Sequence, residues 1–176
     1  MLKLQNLINE LMTESVYDKG IFKAVFLTGL PGAGKSYTLS KITDGSIEPR
    51  IVNTDKYSEY FGKKLGIKDV GTEIRASFYD RVRIMTHTQL SQYINSMLPL
   101  FVDSTSSKIN ITLYRDGLLK LFGYDTAMVF VNTSFETAIK RIQQRERSVP
   151  ISFVKDVYSR VEDNVKFYKN NFSTFI

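Results

Sequence analysis

Gly29-Leu30-Pro31-Gly32-Ala33-Gly34-Lys35-Ser36 is the stretch from which the fold can be read. It follows the apolar run Ala24-Val25-Phe26-Leu27 and precedes a segment, Lys35 to Ile42, that reads as helix. Strand, glycine-rich turn and helix in that order are the setting in which G-x-x-x-x-G-K-[ST] binds phosphate. Glycines at Gly29, Gly32 and Gly34 let backbone N–H groups point together into one concavity, a nest for phosphate oxygens. Pro31 and Ala33 complete the loop. The helix that opens at Lys35, with Tyr37 in its first turn, adds its positive dipole end. Lys35 is placed to reach the β- and γ-phosphates, and the Ser36 hydroxyl to ligate Mg²⁺. ATP with Mg²⁺ is the expected cofactor set. A dinucleotide site would instead need G-x-G-x-x-G in this turn and an acid about twenty residues on. The spacing of the glycines and the Lys-Ser pair favour the phosphate loop.

The composition sets the bounds around this motif. A chain of 176 residues is about one domain and can bury a real core. Its hydrophobic fraction of 43% fits a globular protein. With no cysteine, a disulfide framework and a thiolate metal site are excluded, which suits a reducing cytoplasm. No apolar run approaches a membrane span, and Asn6, Asn9 and Glu10 interrupt the N-terminal segment where a signal peptide would be continuous. The net charge of +6 favours an anionic partner such as a nucleotide or nucleic acid.

Read in order, residues 1–17 place Leu4, Leu7, Ile8, Leu11 and Met12 at helical spacing, a helix leaning on the domain. Ile21–Thr28 is the first strand, and its unbroken apolar run suits a buried parallel strand. Arg50–Asn53 is a short second strand followed by Thr54-Asp55. Ligands of parallel sheets collect at the C-terminal ends of strands, so Asp55 stands where a catalytic carboxylate is useful. Residues 56–71 are rich in Tyr, Lys and Gly and read as a mobile helix-and-loop excursion. Glu73–Met97 is the longest helix and carries the only histidine, His87, which reads as a packing or surface residue. Pro99–Asp103 is the third strand. Hydrophobic residues ending in Asp match the second nucleotide-loop motif, whose carboxylate holds Mg²⁺ or its water. Asp103 could equally cap the next helix, with Ser104, Thr105, Ser106 and Ser107 beside it. Ile109–Phe122, Phe135–Arg147 and Ser152–Tyr168 read as helices, Thr126–Val131 as the fourth strand, and Phe172–Ile176 as a candidate fifth. No repeat or linker divides the chain, so residues 1–176 read as one domain. Alternating strands and helices make an open parallel sheet covered on both faces, with right-handed crossovers.

Four stretches carry a resemblance: Gly29–Ser36, Val52–Asp55, Phe101–Thr105 and the Arg-rich Lys140–Pro150. Together they make the chain similar to the P-loop kinase family that includes phage polynucleotide kinase, zeta-type toxins and other phage kinases. The resemblance implies a three-layer α/β P-loop fold with sheet order 2-3-1-4 and room for a fifth strand. It implies Asp55 as general base for an acceptor hydroxyl. It also implies a lid at about residues 135–150 whose Arg141, Arg145 and Arg147 cover the phosphates. Two departures stand out. The polynucleotide kinases have Asp-Asp-x-Arg after the second strand, where this chain has Asp55-Lys56-Tyr57-Ser58. The zeta-type toxins are longer and carry extra substrate-binding elements. Phage kinases acting on hydroxymethylated bases in DNA are a third branch.

The expected activity is transfer of the γ-phosphate of ATP to a hydroxyl of a nucleic acid or nucleotide. The alternatives are a small-molecule or sugar-nucleotide kinase and an NTP-driven binding protein without acceptor. Phosphoryl transfer asks mostly for positioning and charge neutralisation. Lys35 and Mg²⁺ bridge the phosphates, Ser36 and Asp103 serve the metal, Asp55 takes the acceptor proton, and the lid arginines cover the equatorial oxygens. Tyr57, Tyr60 and Phe61 could stack on bases, and Lys56, Lys63 and Lys64 could meet phosphates. The plainer reading is that the aromatics pack and the lysines are solvated.

Overall fold

The apolar run ahead of the phosphate loop forms β1 (Lys23–Thr28), the middle strand of a five-stranded sheet. The structure is a computed structural model and describes residues 22–43, 50–67, 73–144 and 150–176. After β1 come α1 (Lys35–Ile42), β2 (Ile51–Val52), α2 (Thr54–Leu65), α3 (Glu73–Asn95), β3 (Leu100–Asp103) and α4 (Ile109–Leu121). Then follow β4 (Asp125–Phe130), α5 (Phe135–Gln143), α6 (Ile151–Asn171) and β5 (Thr174–Phe175). The strands lie in the order β2-β3-β1-β4-β5, every neighbouring pair parallel. This is the expected order, and the candidate fifth strand is β5. The helix expected over residues 1–17 falls outside the described residues, as do Arg145 and Arg147.

β1 shows why its sequence lacks a polar face. Ala24 and Phe26 point into a core built with Leu90 and Ile94 of α3, Leu119 of α4 and Tyr168 of α6. Val25 and Leu27 point the other way, against Leu39 of α1 and Val129. Alternate residues serve opposite faces, and both faces are covered. A third cluster joins Leu30 and Ala33 of the phosphate loop to Ala138 of α5 and to Val157 and Val161 of α6. No helix among the described residues is long and apolar enough to cross a membrane.

One expectation is corrected. Of the expected helix-and-loop excursion at 56–71, residues 56–65 belong to the regular helix α2, packed on the domain. Asn53 caps its N-terminus by accepting from the Asp55 amide at 2.7 Å, and Gly66, at φ 66°, closes its C-terminus in the left-handed conformation. Its buried residues are the small Ser58 and Gly62, which lets it approach α3 closely, and Phe61 stacks on Phe78 of α3 at 5.6 Å. Composition alone suggests a solvated segment, but packing against α3 makes it a helix.

Candidate active site

Three parallel strands deliver the expected groups to one edge of the sheet. The phosphate loop leaves the end of β1. Asp103 ends β3, in register with Leu27 of β1. Asp55 opens α2 just past β2. Asn53 ties the last two together. Its side-chain oxygen accepts from the Asp55 amide, and its Nδ2 donates to Asp103 Oδ2 at 2.8 Å. One side chain thus fixes both carboxyl-bearing residues. Asn53→Ala removes a helix cap and a bond to a carboxylate at once. It is expected to cost about 1 kcal/mol of stability and to lower the turnover number roughly 10- to 100-fold, as loss of a ligand-orienting contact does, while ATP affinity holds. Thermal unfolding and steady-state kinetics check this. A stability loss with unchanged turnover would show that Asn53 only caps the helix.

The loop itself is built on glycine. Gly32 sits at φ 82°, and a Cβ there would lie 2.6 Å from the Ala138 carbonyl oxygen. Any larger residue at this position forces α5 away from the loop. Gly34 caps α1 at φ 100°, a region that side chains other than glycine enter at a cost. Lys35 Nζ donates to the carbonyl oxygens of Gly29 and Leu30 at 3.0 and 3.1 Å, within its own loop. Arg141 of α5 donates through Nη1 to the carbonyl oxygen of Ala33 at 3.0 Å, with Gly32 O at 3.4 Å. It braces the loop from α5 and does not line the cleft. Gly29 and Ala33 are both buried, and Tyr37 is 68% exposed with Lys41 over its ring.

Two cavities meet at this edge. One, of about 180 Å³, is lined by Pro31, Gly32, Gly34, Lys35, Ser36 and Glu59 among others. The second, of about 350 Å³, opens between α3, α4 and α6. Asn53, Asp55, Asp103, Ser104 and Thr105 belong to both, so the two carboxyl groups stand on the wall between a phosphate-binding cavity and a larger neighbour. The 104–107 loop of that wall is held from two sides. The Thr28 hydroxyl donates to the Thr105 carbonyl oxygen at 3.0 Å. The Ser106 carbonyl oxygen accepts from the Tyr168 hydroxyl at 2.8 Å and from Asn164 Nδ2 at 3.2 Å, and Ser106 itself is held at φ 52°.

The larger cavity holds His87 of α3, expected as a packing or surface residue, and four residues without an expected role: Arg83 of α3, Tyr114 and Arg115 of α4, and Arg160 of α6. His87 is 5.9 Å from the Tyr114 ring. Burial, with the charges of Arg115 and Arg83, lowers its pKa, which favours the neutral imidazole. Arg115 is buried, and burial pulls its pKa down against a smaller upward pull from Tyr79. A guanidinium keeps its proton in proteins, so it is a buried charge. The helical positions Thr112, Arg115, Asp116 and Leu119 are all buried on α4. An arginine and an aspartate on the inward face of a helix were therefore a visible signal.

Among the described residues no three His, Cys, Asp or Glu side chains cluster as a metal site. The Ser36 hydroxyl and the Asp103 carboxylate line the same cavity. One hydroxyl and one carboxylate, completed by phosphate oxygens and water, fit Mg²⁺, which keeps several waters and seldom takes an all-protein cage.

A family model described as Zeta toxin matches residues 11–175. No curated protein sequence matches the chain. Among solved structures, one from the PezAT toxin–antitoxin system of Streptococcus pneumoniae is similar at TM-score 0.67 and 17% identity, over 99% of this chain and 73% of that one. Another, the AvrRxo1-ORF1:-ORF2 complex with ATP, is similar at TM-score 0.67 and 15% identity, over 96% of this chain and 58% of that one. A chain of the Pnkp1/Rnl/Hen1 RNA repair complex is similar at TM-score 0.63 and 18% identity, over 82% of this chain and 45% of that one. At these identities the structural likeness concerns the fold.

Proposed function

Because this chain belongs to the Zeta toxin family, we propose that it moves the γ-phosphate of ATP onto a hydroxyl of a nucleotide or of a nucleic-acid end, with Asp55 as general base. It is a phosphotransferase with a hydroxyl acceptor. The observation that carries the proposal is the shared wall: Asp55 and Asp103 face the phosphate-loop cavity on one side and the larger cavity on the other. A donor phosphate on Lys35 and Ser36 and an acceptor in the larger cavity would then meet at two carboxylates. ATP as donor accords with the structural relative that was solved with ATP.

The chain's groups divide the work. The loop N–H groups and Lys35 hold the β- and γ-phosphates. Ser36 and Asp103 would hold Mg²⁺, which when bound would neutralise charge on those phosphates. Asp55 accepts the acceptor's hydroxyl proton as the new O–P bond forms and the bond from the γ-phosphorus to the β,γ-bridging oxygen breaks, releasing ADP. Arg141 keeps the loop carbonyls turned outward, so that the N–H groups stay turned inward.

The cavity also bears on the size of the acceptor. At about 350 Å³ it lies at the small end for ligand pockets, which fits one nucleotide unit. Tyr57, Tyr60, Phe61, Lys56, Lys63 and Lys64 line neither cavity. Phe61 is taken up by Phe78, and Tyr60 by Phe61 and Lys64. The plainer reading of that segment is the one the packing supports. A panel of DNA, RNA, nucleosides, nucleotides and nucleotide sugars, offered with γ-labelled ATP, tests the proposal. Label is expected in a nucleotide or a nucleic-acid end. Label confined to inorganic phosphate would overturn the kinase reading, and label only in a compound without a nucleoside would overturn the acceptor class.

A further inference from the structure

Arg115 differs from the other cations of the larger cavity. Arg160 pairs with Asp156 at 2.8 Å, both about half exposed. Arg83 stands 4.0 Å from Asp80 on the exposed side of α3. Lys108 is exposed. Arg115 is 8% exposed, makes no salt bridge among the described residues, and its buried Nε has no hydrogen-bond partner there. Its neighbour Asp116 is engaged elsewhere, accepting from Thr126 Oγ1 at 2.6 Å and from Lys120 Nζ at 2.8 Å. A permanent charge has been placed in a cavity wall with no ion pair of its own among the described residues, at a helix position where leucine or methionine would pack. Buried charges are normally paired, so the missing partner is most simply supplied by what enters the cavity. The guanidinium fork matches two oxygens of one anion. Arg83, Arg160 and Lys108 line the same cavity, so that with Arg115 four cations there face the three carboxylates of Asp55, Asp103 and Asp156.

We propose that the larger cavity is an oxyanion subsite in which a phosphate group already present on the acceptor pairs with Arg115 while the acceptor's hydroxyl lies at Asp55. The inference rests on the acceptor cavity proposed above. It makes phosphorylated compounds the substrates and their neutral counterparts, nucleosides and free sugars, poor ones. A neutral acceptor would leave Arg115 buried and unpaired, the situation in which polar sites reject analogues most strongly.

The test uses the full chain with Mg²⁺ and a non-hydrolysable ATP analogue saturating the phosphate loop, so that added phosphate reports on the second cavity. Inorganic phosphate is titrated at constant ionic strength, with acetate as the carboxylate control, and followed by calorimetry and thermal unfolding. Saturable phosphate binding is expected in the parent. Arg115→Met should weaken it roughly 10- to 100-fold, the usual worth of hydrogen bonds to a charged group. The same variant should unfold at or above the parent temperature, because removing an unpaired buried charge relieves the fold. Analogue affinity should be equal in both proteins. Equal phosphate affinity in parent and variant, or no phosphate binding while the analogue binds, overturns the inference and leaves the kinase reading standing. Failure of the analogue to bind overturns the kinase reading itself, and this subsite with it. Acetate binding as well as phosphate overturns the assignment to a phosphate. Should Arg115→Met fail to fold, Arg115→Gln is measured in its place, with the same outcomes deciding.

Discussion

Lys35→Ala abolishes transfer, weakens MgATP roughly 10- to 100-fold and leaves the fold in place. Lys35 is the one charged side chain of the loop, and its Nζ donates to the loop carbonyls of Gly29 and Leu30 at 3.0 and 3.1 Å. In the variant those carbonyls turn to water at small cost. The loop N–H groups and the end of α1 remain, so part of the ATP affinity survives. What disappears is the ammonium that can follow the γ-phosphate as charge develops on it, and preorganised charge of that kind is where most rate enhancement lies. Calorimetry with MgATP and transfer of labelled phosphate measure the two effects separately. Turnover within a few-fold of the parent would refute the phosphate-loop assignment.

Asp55→Asn is the second large effect and differs in kind. ATP binding should be unchanged, while transfer falls by about two to four decades, the usual worth of a general base. The main chain at residue 55 is fixed by its N–H, which donates to Asn53 Oδ1 at 2.7 Å, and the substitution keeps this. Asparagine has nearly the shape of aspartate but cannot take the proton. Single-turnover measurements at saturating ATP isolate the step. Transfer that survives within a few-fold would reduce Asp55 to a helix-terminus residue and leave the shared wall without its base.

Much of this could be read in the chain because the telling residues are neighbours in sequence. The phosphate loop needs only eight consecutive residues, Gly29–Ser36, and the strand before it is apolar because helices cover both of its faces. Asp103 and Asp55 were recognisable because parallel strands end at a common edge. What was hidden depends on partners far along the chain. Phe61 reads as a surface aromatic until Phe78 is seen stacked on it. Arg115 and Asp116 share the inward face of α4 with Thr112 and Leu119, but which of the two is satisfied cannot be read from the spacing. Only the Thr126 hydroxyl, arriving on β4, shows that the aspartate is satisfied and the arginine is not. Asn53 went unremarked because capping and carboxylate orientation are both contacts that a sequence does not print.

The strut under Ser106 sets a timetable for the molecule's birth. Its carbonyl is bonded by Tyr168, which follows it by 62 residues, and by Asn164, which follows it by 58. The turn of the phosphate loop is closed locally, by the Ala33 amide on the Leu30 carbonyl oxygen and by Lys35 on Gly29 and Leu30. Closing a long loop costs more entropy than closing a short one, and distant contacts form late. A chain still on the ribosome, with α6 inside the exit tunnel, has the local turn of its phosphate loop but lacks the strut under Ser106. The wall at residues 104–107 is therefore braced only once α6 emerges.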